Sequence, residues 1–455
     1  MTRRGAFLTL FAAGLALRLA WLGNWGTFDT EVQKAWSWRA ATGGVASIYG
    51  PTDAELAAAG RERGMGVVEA LFRLPVPPHR FEWGTATYSV DYPAGSVLGL
   101  AAAGTLYRLV DPELSNGRGF NVAINSAPLL ASLAIALVLF RSAPDAALGG
   151  RRALAFWLNP AMLLAAPALG YQDPIFGALA LGAVVALCEG RHGFATALVV
   201  AAGLVKPQGA LLLPALAGVL LRDAGPRGLR RAAAAGLATA AVLLAPWWTR
   251  GQLWSALDGC RRPLFQTTLA PLGLNPWWIA GWLMDLTRRD EPGLPLARIV
   301  QIPEFTAWAG FDPRLPARAL LLAVAVGIVL YLWTRRGQVV AIPISVALAV
   351  HSYALFGTSV HENHTLLALC VLPLTLGQWR PAPYALAASS GFAFVSLFLA
   401  AGFGRRVTRL ATIAQLRGAT GLDASLIVAA LHVALVLGLW VCALRRDSPA
   451  AEAAA

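Results

Sequence analysis

Charge is what this chain has least of. Only 13% of its 455 residues are charged and 57% are hydrophobic, against about 25% charged in an ordinary soluble domain, which excludes a water-soluble globule. Cysteine is equally sparse: Cys188, Cys260, Cys370 and Cys442 show no CxxC spacing, so neither a disulfide framework nor a zinc site follows. Lysine is almost missing, with Lys34 and Lys206 the only two among 37 basic residues. The apolar run 5–23 after Arg3-Arg4 lacks a small-x-small cleavage site before Trp25, and it therefore reads as a retained first span rather than a signal peptide. Internal repeats are missing too, and low complexity is confined to the alanine-rich tail.

Long apolar blocks are what fill the chain. About 20 apolar residues in a helix cross ~30 Å of hydrocarbon, and such blocks are expected as spans near 5–23, 121–140, 152–168, 174–189, 193–205, 207–221, 232–248, 317–334, 338–356, 364–378, 382–402 and 424–444. The net charge of +13 sits in short arginine clusters between these blocks, where retention on the cytoplasmic side explains it. No nucleic-acid surface is expected. Placing Arg3-Arg4 inside, and reading 93–110 as a re-entrant or surface helix, keeps Arg191, Arg222, Arg227, Arg230, Arg231, Arg335, Arg336, Arg380, Arg445 and Arg446 inside as well. The expected architecture is an all-α integral membrane protein with a single polytopic domain over 1–455. It is a bundle of about twelve transmembrane helices with a first external loop, 24–120, that holds interfacial helices and Pro75, Pro77 and Pro78, and a second, 249–316. Within the second loop, 275–286 is aromatic and suited to the interface.

That topology collects acidic and amide residues on the outer face. Asp29, Glu31 and Gln33 are followed by Asp91 and Tyr92, by Gln172 and Asp173, by Lys206 and Gln208, and by His361, Glu362, Asn363 and His364. An ionisable group near lipid costs from ~2.5 kcal/mol upward unless it is paired or faces water, so five such segments read as a polar cavity. No metal-ligand spacing is present, and metal-independent chemistry without a cofactor is expected.

These residues carry a resemblance. Asp29-Thr30-Glu31-Val32-Gln33-Lys34-Ala35-Trp36 resembles the D-x-E-x-Q-[KR]-x-W motif that follows the first span in the dolichyl-phosphate-glucose glucosyltransferases of asparagine-linked glycosylation, members of the GT-C superfamily. Asp91-Tyr92-Pro93-Ala94 is similar to that family's D-Y-P-P, Lys206-Pro207-Gln208 to its K-Q after a span, and His361-Glu362-Asn363 to its H-E-K. The stretch from Arg261-Arg262-Pro263-Leu264-Phe265 to Asn275 and Trp277 resembles its R-L-F-P and N-x-W segments. Departures are Asn363 for lysine, Ala94 for the second proline, and the lack of histidines in 170–173.

The resemblance implies a GT-C-type fold and an inverting transfer of one hexose, glucose or mannose, from a polyprenyl-phosphate carrier to a hydroxyl of a saccharide or glycolipid acceptor. The reaction would lie on the non-cytoplasmic face. Arginine and alanine richness, not the resemblance, sets the expectation of a bacterial inner membrane with the site toward the periplasm or exterior. Asp29 matches the family's base, since inversion needs one carboxylate to take the acceptor's proton. Lys206, His361, Arg261 and Arg262 are the candidate partners of the departing phosphate. Glu31, Gln33, Lys34, Trp36, Asp91, Tyr92, Gln172, Asp173, Gln208, Glu362 and His364 complete the expected substrate contacts.

Plainer roles stand beside these. Asp29 is also placed as a boundary or cap residue, and Asp91 before Pro93 as a helix cap. Glu31 is a second acid, an acceptor-binding group or a partner for Lys34. Lys206 suits a snorkelling anchor, as does Arg18. Trp247-Trp248 and Trp277-Trp278 suit an interfacial belt, and the spacing of His361 and His364 would put both on one helix face. A transporter or flippase of lipid-linked saccharides is the rival function, because it too needs a polar cavity among helices. Its usual marks, mid-membrane charges and internal repeats, are not seen.

Overall fold

The computed structural model describes residues 3–66, 69, 79–262, 266–287, 299–401 and 424–445. Pro75, Pro77, Pro78, the 263–265 part of the Arg-Arg-Pro-Leu-Phe segment, Arg446 and the alanine-rich tail lie outside the described residues. Helices carry nearly all of the regular structure, with a single two-stranded hairpin, Arg80–Trp83 against Ala86–Ser89, among the described residues. Six helical stretches are long and apolar enough to cross a membrane: Arg4–Trp21, Arg118–Arg141, Pro207–Trp248, Arg314–Thr334, Ala382–Ala400 and Ser425–Leu444. Four more are apolar but shorter, Asp173–Cys188, His192–Val205, Ala341–Phe356 and Leu366–Thr375. The chain is an all-α membrane protein of several passes.

Prolines redraw some of the expected spans. The block 152–168 is not one helix: Ala146–Trp157 stops, Asn159 caps a new turn through its Oδ1 on the Ala161 and Met162 amides, and Pro160 starts it. Asn at the cap and Pro at the first turn make a start signal that apolarity overrides in a hydropathy reading. The block 364–378 is likewise Leu366–Val371 followed by a tight turn from Leu372 to Thr375 over Pro373. In the 42-residue stretch Pro207–Trp248, Gly225 adopts φ +58°, a turn that glycine makes without steric cost, so the blocks on either side remain distinct.

Two compact units divide the chain, Met1–Thr267 and Thr268–Ala455. In the first, the segment expected as an external loop packs a core together with the end of the helix Gly225–Trp248. Trp36, Tyr49, Phe81, Val90, Val97, Phe120 and Trp247 are all buried there. Trp247 is wholly buried and donates to the Val45 carbonyl, and only Trp248 of that pair is exposed. Arg18 does not snorkel: it is 2% exposed, lies 3.8 Å over the Trp157 ring and donates to the Gly14 carbonyl. A ring face nearby gives the guanidinium an electrostatic partner without leaving the helix bundle.

In the second unit, Asn275 ties the start of Pro276–Thr287 to the end of Ala341–Phe356 by donating to the Ala354 and Gly357 carbonyls. Trp277 donates to the Phe356 carbonyl and Trp278 to Ser425 Oγ. Both indoles of the expected belt therefore serve internal packing, their N–H groups being satisfied by protein instead of the interface.

Candidate functional site

The first unit positions the Asp29 motif by a glycine-lined joint. Thr27 N–H donates to the Leu169 carbonyl, and Thr30, fully buried, wedges between Gly26 and Gly170, where any side chain added at either glycine would strike its hydroxyl. Both glycines hold positive φ, +66° and +75°. The helix Phe28–Gly43 begins with Thr27 as N-cap, so Asp29 is not the cap but stands exposed in the first turn. A carboxylate is favoured there by the positive end of the helix dipole.

Helical periodicity then divides the motif in two. At 100° per residue Asp29, Gln33 and Trp36 share one face, while Glu31 and Lys34 share another. On the second face Lys34 Nζ lies 2.7 Å from Glu31 and 2.6 Å from Asn116 Oδ1, and Asn116 Nδ2 donates to Glu31 at 2.7 Å. The Trp25 ring stands 4.7 Å and the Trp83 ring 5.9 Å from the same ammonium. Of the three roles open to Glu31, the one seen is partner to Lys34. Asn116, Trp25 and Trp83 were not singled out by sequence, because nothing in their spacing marks them.

On the first face Gln33 accepts from Gln172 Nε2 at 2.9 Å, and Trp36 donates to the Ser89 carbonyl at 3.0 Å with its ring 5.3 Å from that of Tyr92. The turn carrying Asp91 and Tyr92 is held from two sides. Tyr49 donates to the Tyr92 carbonyl at 2.7 Å, Arg262 to the Val90 carbonyl at 2.9 Å, and Asp258 anchors Arg262 at 2.8 Å. Arg262 is thus a staple for the Asp91 turn, while Arg261 is more than half exposed and 3.4 Å from Asp258. Asp91 does not cap the following helix, Ala94–Arg108, whose N-cap is Pro93 without a side-chain bond.

Pro207 disfavours helical backbone in the residue before it, and Lys206 accordingly sits extended, φ −147° and ψ 132°, between His192–Val205 and the turn Pro207–Leu212 that holds Gln208. Its ammonium meets Asp173 at 2.7 Å, both side chains less than a tenth exposed. Asp173 opens the helix Asp173–Cys188, with Gln172 as N-cap.

Electrostatics binds these pieces together. Burial pushes the Asp91 carboxyl above the usual range although its outer edge meets solvent; its own backbone N–H and Arg262 pull it back, and Asp29 pushes it up again. Burial drives the Tyr92 hydroxyl up to about 12, with Lys206 opposing and Asp173, Asp29 and Asp91 adding to the rise. Lys206 lies within reach of Asp29 as well. Asp29, Asp91, Asp173 and Lys206 are therefore coupled in one charged cluster around the neutral Tyr92 hydroxyl. Beside it opens a narrow crevice with Gln33, Trp36, Tyr92 and Gln172 at the polar part and Gly95, Gly99, Ala103, Ile124, Ile175 and Val205 among its apolar lining.

His361, Glu362 and His364 belong to the second unit. They lie in a turn rather than on a helix face. The turn still brings the two imidazoles to 5.4 Å, with His361 N–H donating to His364 Nδ1 at 3.3 Å, His361 Nδ1 4.0 Å from Glu362, and His364 stacked on Tyr353. No group of three or more His, Cys, Asp or Glu suited to a metal ion is assembled among the described residues. A scan against protein-family models finds no match for this chain, and a search of curated proteins finds none either.

Proposed function

We propose that the chain is an inverting glycosyltransferase of the GT-C type, with about twelve spans. It would move a hexose, glucose or mannose, from a polyprenyl-phosphate carrier to a hydroxyl of a lipid-linked or cell-envelope acceptor on the outer face of a bacterial inner membrane. The observation that carries this reading is the charged cluster beside an apolar crevice: an exposed carboxylate, Asp29, within electrostatic reach of a second carboxylate and a lysine, next to a slot lined mainly by aliphatic and small residues. A polyprenyl phosphate needs both surfaces, one for its tail and one for its head.

In the proposed reaction the acceptor O–H proton passes to the Asp29 carboxylate as the oxygen attacks the anomeric carbon from the face opposite the phosphate. The bond from that carbon to the phosphate oxygen breaks, its electron pair leaves with the polyprenyl phosphate, and the configuration inverts. Asp29 stands in the first turn of its helix, where the dipole favours an anion. Gln33 and Gln172, amides joined at the crevice, are suited to sugar hydroxyls. Reconstitution with polyprenyl-phosphate-glucose or -mannose and a panel of lipid-linked acceptors tests the reading. Transfer that is lost in Asp29→Asn is the expected result; transfer undiminished by that change, or sugar-lipid translocation without transfer, would sink it.

A further inference from the structure

Lys206 and Asp173 raise a question that the transfer reaction leaves open. A lysine meant to hold a lipid phosphate is met at 2.7 Å by a carboxylate, with both side chains almost fully buried. The pair is neutral overall, and a neutral pair attracts an anion far less than a bare ammonium does. Asp29 adds a further negative charge within reach of the same lysine, so an arriving phosphate meets two carboxylates and one cation that is already engaged.

The position of Asp173 suggests how this resolves. It is the first residue of the helix Asp173–Cys188, where the helix dipole stabilises a carboxylate whether or not a lysine is present. Lys206, by contrast, sits at a helix break with extended backbone, beside Val205 at the crevice.

We propose that Asp173 masks Lys206 in the unliganded protein, occupying the place that the phosphate of an isoprenoid monophosphate takes when its tail enters the crevice. This rests on the transferase reading and deepens it, by naming the residue that sets donor affinity. Exchange of partners, carboxylate for phosphate, makes binding conditional on a tail that can fill the apolar slot, since the head alone only replaces one anion by another.

The test is binding to the full chain in phosphatidylcholine nanodiscs, with farnesyl monophosphate, inorganic phosphate and farnesol as three separate probes. Asp173→Asn should bind farnesyl monophosphate about tenfold tighter than the parent, leave farnesol unchanged, and lose the gain when combined with Lys206→Met. Unchanged or weaker binding by Asp173→Asn, or a gain that survives Lys206→Met, overturns the mask. Inorganic phosphate that binds the parent protein as tightly as farnesyl monophosphate does overturns the assignment to a lipid. Should Asp173→Asn fail to fold, the parent protein labelled with 15N-lysine gives only two ammonium signals, because the chain has only two lysines. Farnesyl monophosphate should then shift the signal of Lys206 and spare that of Lys34; a Lys206 signal that stays fixed at saturation refutes the exchange. The two readings fail separately. Tighter binding by Asp173→Asn in a protein that transfers no hexose keeps the mask and removes the transferase, whereas Asp29-dependent transfer without that gain removes only the mask.

Discussion

The two lysines of this chain make the same bond in different settings. Lys34 meets Glu31 and Lys206 meets Asp173, each at 2.7 Å. Around Lys34 every direction is closed: Asn116 bridges both charges and two tryptophan rings flank the ammonium. Around Lys206 the neighbours are themselves ionisable, Tyr92 and Asp29, and the adjoining residues Gln172 and Val205 line a crevice. An ion pair with satisfied hydrogen bonds on all sides belongs to architecture, whereas one set among perturbed groups at a cleft marks a site. The contrast extends to the two faces of the helix Phe28–Gly43, one caged through Glu31 and Lys34, the other carrying the exposed Asp29 and, at the crevice, Gln33 and Trp36.

The largest effect that sharpens this contrast is on the open face. Asp29→Asn should lower hexose transfer by about 10²–10⁴-fold, the usual weight of a general base, and leave thermal unfolding where it was. A comparable loss of fold stability would move Asp29 to the structural side. Next comes the cage. Lys34→Met leaves Glu31 without its cation and should destabilise the protein toward the low end of about 3–5 kcal/mol, because Glu31 is 31% exposed and water softens the loss. Unfolding in detergent by heat or denaturant reads this directly. If Lys34→Met instead abolishes transfer with its unfolding unchanged, the cage is part of the chemistry and the comparison breaks. A smaller effect is expected at the amide pair, where Gln172→Ala removes the donor to Gln33 at about 1 kcal/mol. It should raise the KM for donor several-fold with kcat nearly constant, and a pure kcat effect would contradict a binding role.

Much of this was readable in advance, for physical reasons that differ by residue. Long apolar blocks report membrane helices because few other structures can use them, and the scarcity of lysine drew attention to Lys34 and Lys206. What composition cannot show is facing. The string from Asp29 to Trp36 reads as one motif until it is wound into a helix, when its members part into a cage and a site. Arg262 followed the same course: as a cation it suited phosphate, yet besides Asp258 one helical turn earlier it bonds the Val90 carbonyl, a backbone partner 172 residues away that no side-chain signal marks. Trp278 found its acceptor in Ser425 Oγ and Arg18 its place over the Trp157 ring, where only three-dimensional neighbours could have announced it. The break at Asn159-Pro160 was the exception, since its cap and proline were present in the text and were overridden by the apolarity around them.

The smallest effect lies at Asp91, and its sign separates the site from the cage once more. Its folded carboxyl is held above the ordinary value by burial and by Asp29. The folded state therefore binds this proton more tightly than the unfolded chain does. Stability from this group is then greatest below the unfolded pKa and declines as pH rises through the folded value. Asp91→Asn cannot ionise, and the decline should be shallower in that variant than in the parent over the range that starts near the ordinary carboxylate pKa and extends above it. Unfolding measured as a function of pH in both proteins tests this. A decline of equal slope would mean that Asp91 carries no such burden. A decline that becomes steeper would mean that Arg262 outweighs burial and Asp29 together, making the Asp91 turn an ion-paired clamp like the one around Lys34.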